Sequence, residues 1–260
     1  MRLTLSDSEM FLTLAVLSAD NTPWMSDSPL LTLSRPELDR QLQTGRERAL
    51  QRGLMLAREG GALTLQPDAR SLIEGARRPQ DAFELMHTAH GQPPRRIQFC
   101  LGGQSPIMHE FLAGGGHAFQ TLPAPDDVVN TITHIAAPAE SLRELALAPV
   151  VVPYSTFVAL AKTAEGDSAG LLEKAFAQAK APKPVADALL QAGLHPLQQT
   201  VLTQLGVREK GFYVRSLVWF ADNASCWLVR DFKRDGSIEI AAAGRSTIVL
   251  SIQAFVASRP

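Results

Sequence analysis

Few side chains in this sequence are of types and spacings that could do chemistry. His87 and His90 form a His-x-x-His pair, with His109 and His117 following, a grouping that could hold a zinc ion. The spacing argues against it. His87 closes a strand-like run and His90 falls in a Gly-Gln-Pro-Pro loop, so no helix sets both imidazoles on one face, and no acid stands at a ligand position. The histidines are read as surface groups, with no metal and no cofactor. Ser105, in Gly-Gly-Gln-Ser-Pro, lacks the second flanking glycine of a nucleophile elbow, and Cys100 and Cys226 sit in apolar runs with no neighbouring base. Gly114, Gly115 and Gly116 would suit a phosphate only if a helix with Lys and Ser or Thr followed; an apolar run follows, so they read as a hairpin turn. With no catalytic set in view, the expectation is a protein that binds and is not an enzyme.

Two binding surfaces compete. Arg35, Arg40, Arg46, Arg48, Arg52 and Arg58 lie in a helix and hairpin that could face phosphates, which gives one reading, a winged-helix DNA-binding regulator with a ligand-sensing second lobe. Glu37, Asp39, Glu47 and Glu59 are interleaved with them, as on a solvated face with local ion pairs, and a net charge of −1 supplies no field for nucleic acid. The favoured surface is the aromatic sheet near the end of the chain. Along Gly211 to Phe220, alternate residues Tyr213, Arg215, Leu217 and Trp219 share a face, and Trp227, Arg230 and Phe232 follow on the next strand. Tyr, Trp and Arg are the residues that protein interfaces concentrate, so Tyr213, Arg215, Trp219, Trp227, Arg230 and Phe232 are the candidate contacts for a helical, apolar segment of a protein partner.

The elements that must position these residues fall into two similar sets. Ser6-Asp-Ser-Glu caps a first helix, Arg35-Pro36-Glu37 opens a second, and Gly53 to Gln66 makes a hairpin, together a winged-helix-like segment. A helix from Pro67, strands at Ala82 to Thr88, Arg96 to Leu101, Pro106 to Leu112 and His117 to Leu122, and a helix after Pro125 complete the first set. At Val152 the chain begins again, with Ser155 and Thr156 before an apolar stripe, two helical stretches over 171–191, and a meander from Gly211. Pro67 with Pro196, Ile73 with Leu202, Phe83 with Phe212 and Leu85 with Val214 share an offset of 129 residues, the mark of an internal repeat. The expected fold is α+β: two pseudo-symmetric lobes, each an antiparallel β-meander packed with helices, over 1–137 and 151–260, with 138–150 a linker or short helix. Residues common to both copies, such as Phe83 with Phe212 and Gly116 with Gly244, are assigned to the fold, and those that differ to function. An acidic start and no long apolar run predict an untargeted cytoplasmic protein without membrane insertion.

This order of parts resembles the EspG family of type VII secretion chaperones. The resemblance runs through the capped helix at Ser6 to Leu17, Arg-Gly-Leu-Met with its hairpin and Pro-Asp-Ala-Arg at 52–70, the meander and glycine turn at 82–122, and the repeat ending in Ala-Gly-Arg-Ser-Thr-Ile-Val-Leu at 243–250. It is a resemblance of pattern, and the short stretch after Val256 leaves little room for a full final helix. It implies a cytosolic chaperone or adaptor that binds a helical secretion substrate with its sheet and carboxyl-terminal helical region.

Overall fold

The computed structural model describes residues 1–18, 28–77, 79–142, 144–155, 168–194, 196–208, 211–232 and 236–258. The expected second capped helix after Ser155 lies outside the described residues, as do residues 233–235 of the expected meander. In chain order the elements are β1 (Arg2–Leu5), α1 (Asp7–Val16), α2 (Arg35–Gln51), β2 (Met55–Ala57), β3 (Leu63–Leu65), α3 (Pro67–Arg77), β4 (Asp81–Ala89), β5 (Arg95–Leu101), β6 (Ile107–Phe111), β7 (His117–Thr121) and α4 (Asp126–Ala136). They continue with β8 (Val150–Pro153), α5 (Ser168–Gln178), α6 (Lys183–Leu194), β9 (Gln198–Arg208), β10 (Gly211–Ala221), β11 (Cys226–Phe232), β12 (Ser237–Ala242) and α7 (Arg245–Ala257). The fold is α+β and pseudo-symmetric, with a meander of four strands in each lobe followed by a helix.

The chain forms two compact interleaved units. The first comprises Met1–Glu84, Arg95–Val128 and Leu205–Tyr213, and the second Leu85–Pro94, Val129–Gln204 and Val214–Pro260. In the first, the strands run in the order β1-β7-β6-β5-β4. The winged-helix-like segment starts as its residues dictate: Ser6 accepts from the Glu9 amide while the Glu9 carboxylate accepts from the Ser6 amide, and Ser34 with Glu37 repeats this box at α2. Leu5, Met10, Leu14, Ala49, Met55, Leu65, Leu72, Ile73, Ile107 and Phe119 bury together, so α1, α2, α3 and the β2–β3 hairpin share one core with the sheet. Gly116 has φ of +115°, and a Cβ there would lie 2.9 Å from the Leu5 carbonyl oxygen, so the turn before β7 requires glycine.

In the second unit the order is β9-β10-β11-β12-β8. Val150, Val152, Val218, Phe220, Trp227, Val229, Ile238 and Ile240 bury against Phe176 of α5 and Val185, Leu189 and Ala192 of α6. β1 pairs antiparallel with β7 and β8 pairs antiparallel with β12, so each meander gains an edge strand that the sequence pattern did not announce.

Three expectations change. The offset of 129 residues sets Pro67–Ile73, in α3, against Pro196–Leu202, which runs into β9, and so pairs a helix with a strand. Burial alternates at Thr200, Leu202 and Gln204, the period of two that defines a strand, and element for element β4 answers to β9 and β5 to β10. Gly244 is the residue before α7 and no counterpart of the turn glycine Gly116. The final helix is complete, because α7 starts at Arg245, where the sequence suggests the end of a sheet.

Candidate partner-binding surface

β10 changes character along its length. Its first residues are exposed or half-buried, and from Leu217 to Ala221 every residue is buried. At the outer end Phe212 is 87% exposed and Val214 65%, while Val207, near the same turn on β9, is 61% exposed. Apolar side chains this exposed contribute nothing to the core. Phe212 therefore does not share the role of Phe83, which is fully buried in β4.

The six residues singled out from the sequence separate into different environments. Trp219 and Trp227 are both fully buried. The Trp219 indole N–H donates to the Ala136 carbonyl at 2.8 Å, and that of Trp227 to Ser225 Oγ at 3.0 Å, so both act as core residues with satisfied polar tips. A partner docking on this surface would not touch them. Tyr213 is half-buried, with its hydroxyl donating to Asp81 Oδ1 at 2.5 Å, and its ring lies against Gly206, where a Cβ would stand 2.3 Å away. Arg215 is committed to the end of α7: Nε donates to Gln204 Oε1 at 2.5 Å, Nη1 to Ser258 Oγ at 2.6 Å, and Nη2 to the carbonyls of Phe255 and Ser258. Its guanidinium also covers the Phe255 ring at 4.4 Å. Arg230 is exposed and makes no hydrogen bond or ion pair among the described residues; Glu239 is its cross-strand neighbour on β12. Phe232 ends β11, and its side chain lies outside the description.

Two of the six, Arg215 and Arg230, meet in a groove of about 660 Å³ within the second unit. It is lined by Arg215, Leu217, Leu228 and Arg230 of β10 and β11, by neighbouring residues of the same strands, and by Ser251, Ala254 and Phe255 of α7 with Ser258 at its end. None of the lining residues is acidic, so the groove combines apolar walls with two cations. Sequence reasoning did not find it, because its roof lies some forty residues away along the chain.

His90 is exposed, as expected, but His87, His109 and His117 are buried, contrary to the surface expectation. His87 Nδ1 shares a hydrogen bond of 2.8 Å with Thr200 Oγ1. His109 and His117 lie 0% and 3% exposed, with His109 Nε2 to His117 Nδ1 at 2.9 Å and His117 Nε2 at 3.5 Å from Asp7 Oδ1. His109 stacks on Phe119 with centroids 4.2 Å apart. Burial holds the His109 imidazole well below its ordinary pKa, with His117 and Arg96 adding to this, and burial lowers His117 against the opposing pull of Asp7. Both thiols are pushed up to about 12 by burial, so neither is a nucleophile at neutral pH. Among the described residues no group of three or more His, Cys, Asp or Glu is arranged to hold a metal ion. Arg52 donates to Glu9 Oε1 at 2.8 Å and to the Thr4 carbonyl at 2.7 Å, so one of the arginines considered for phosphate contact is engaged within the fold.

Comparison with solved structures shows a likeness of fold. The structure matches that of EspG5, a type VII secretion system chaperone of Mycobacterium tuberculosis solved in complex with a PE25-PPE41 dimer, with a TM-score of 0.71 over 100% of this chain and 97% of EspG5. The fold is EspG-like. Sequence identity is 11%, so the likeness is one of architecture. No family model and no curated protein sequence matches the chain. Among the described residues no helix is long and apolar enough to cross a membrane.

Proposed function

We propose that this protein is a non-enzymatic chaperone or adaptor that holds a helical, apolar segment of a protein partner, a type VII secretion substrate or a relative of one. The observation that carries the reading is the match in fold to a secretion chaperone over 100% of this chain and 97% of that one. The groove of the second unit supports it: apolar walls suit the face of an amphipathic helix, and Arg230 suits an acid at its edge. Arg215 and Arg230 remain candidate contacts from the sequence, and Tyr213, in the first unit, is a separate one. Exposed Phe212, in the first unit, is a separate candidate. Two lobes over 1–137 and 151–260, joined by 138–150, are read as products of duplication, supported by the shared order of four strands and a helix.

The test is affinity capture from the native host with wild-type protein and an Arg230→Glu variant, followed by mass spectrometry. The expected result is a helical protein recovered by the wild type and reduced at least about tenfold by the variant, since reversing a charge at the groove's edge costs about 1.4 kcal/mol or more. Equal capture by both removes the groove from the reading. Turnover of a small molecule with no protein recovered removes the chaperone.

A further inference from the structure

α7 is held at each end by a charge that belongs to another segment. Its first residues include no acid, its last turn no base, and Gly244 before it has no side chain to cap the free amides. Glu144 supplies what is missing: its Oε2 accepts from the Gly244 amide at 3.4 Å and from Thr247 Oγ1 at 2.5 Å. At the other end the Arg215 guanidinium donates to the carbonyls of Phe255 and Ser258. An anion at the amino end and a cation at the carboxyl end both oppose the helix dipole favourably, and both sit on exposed or half-buried side chains.

The apolar anchoring between these points is thin. Of the thirteen residues of α7 only Ile248 and Ile252 are buried, and Leu250 points to solvent. Beneath Ser251, Ala254 and Phe255 lies the groove of about 660 Å³, so the carboxyl-terminal half of the helix roofs open space and lacks tight packing. The strands below are different: Leu217, Val218, Leu228 and Val229 are buried. A helix with few buried contacts, joined to its sheet through Ala243 and Gly244, belongs to the low-stability end of a fold, where elements open before the core does.

We propose that α7 is a hinged lid over the groove, latched by Glu144 at its start and Arg215 at its end, which opens as one unit while β10 and β11 stay folded. The inference concerns the helix's own equilibrium and stands apart from the identity of whatever enters the groove. Opening would uncover Ile248, Ile252 and Phe255 together with Leu217 and Leu228, enlarging the apolar surface beyond what the closed groove offers.

Hydrogen exchange read by mass spectrometry on the full chain tests it, comparing peptides covering 245–257 with peptides covering 226–230 as the reference for global unfolding. Wild-type α7 amides should exchange faster than those of β11. Glu144→Gln and Arg215→Met should each raise the α7 rate by roughly threefold to tenfold and leave β11 unchanged, as should added salt, because salt weakens the interaction of exposed end charges with the helix dipole. Glu140→Gln, an exposed acid on the same segment, should change nothing. If α7 and β11 share one protection, or α7 is indifferent to both latch variants, the lid is wrong. Glu144 lies on the surface, so its variant keeps the test decisive even if Arg215→Met unfolds the unit.

Discussion

Trp219 and Phe212 should behave in opposite ways on substitution. Trp219 is fully buried in the second unit, and its indole donates to the Ala136 carbonyl, which also receives Gln198 Nε2 at 3.4 Å. Trp219→Ala removes a large buried side chain and opens a cavity, at a cost of about 3–5 kcal/mol. Trp219→Phe keeps most of the volume but leaves that carbonyl with only the longer glutamine bond, costing about 1–2 kcal/mol. Phe212→Ser acts on a side chain 87% exposed and should stay within about 0.5 kcal/mol. Urea unfolding followed by far-ultraviolet circular dichroism separates the three without relying on the substituted chromophore. With a slope of about 3 kcal/mol per molar, the alanine variant should lose more than about 1 M in midpoint, the phenylalanine variant about half that, and Phe212→Ser almost nothing. A Trp219→Ala midpoint near wild type, or a Phe212→Ser loss as large as that of Trp219→Ala, would refute the assignment of Trp219 to the core and Phe212 to the surface.

Two further outcomes follow from buried polar groups of the first unit. Burial holds the His109 and His117 pKa values below the unfolded value of about 6.5, so below that pH the unfolded chain binds more protons. Their share of the stability is complete above about pH 6.5 and declines as the pH falls, so the urea midpoint should drop between about pH 7.5 and 5.5, and drop less in His109→Phe; equal slopes would contradict this. Arg52→Ala leaves the Glu9 carboxylate, 3% exposed at its side chain, without its cation and should cost about 2–3 kcal/mol, whereas Arg46→Ala on the exposed face of α2 should be near neutral. Comparable thermal melts for the two variants would mean that the Glu9 pair is not stabilising.

What was legible in the sequence is what neighbouring residues decide. The capping boxes at Ser6 and Ser34 depend on a residue three places on, and both form. The meanders rest on period-two alternation broken by turn residues, and they too were readable. Burial of His109 and His117 was available in principle, since Ile107, His109 and Phe111 alternate onto one face of β6, and His117 and Phe119 onto one face of β7. Judging each histidine by metal-ligand spacing hid that alternation. β1 and β8 are only four residues each and gain their pairing from strands far along the chain, which no local window contains.

The candidate surface was harder to read for a related reason: whether an aromatic side chain belongs to the core is decided by what lies on top of it. Tyr213, Arg215, Leu217 and Trp219 share one face of one strand, yet burial deepens from half to complete over those seven residues because helices cover only part of the strand. α7 illustrates the same limit at the level of an element. Thr247, Ile248 and Val249 are β-branched, and the segment carries neither an acidic first turn nor a basic last one, so its local preferences suit a strand as well as a helix. The charges that complete its ends reside at Glu144, on the segment after α4, and at Arg215, on β10. A helix whose caps are borrowed from elsewhere in the chain is invisible to any rule that reads its own residues. For the same reason its docking depends on Glu144 and Arg215, two side chains in the same unit but outside the helix they hold.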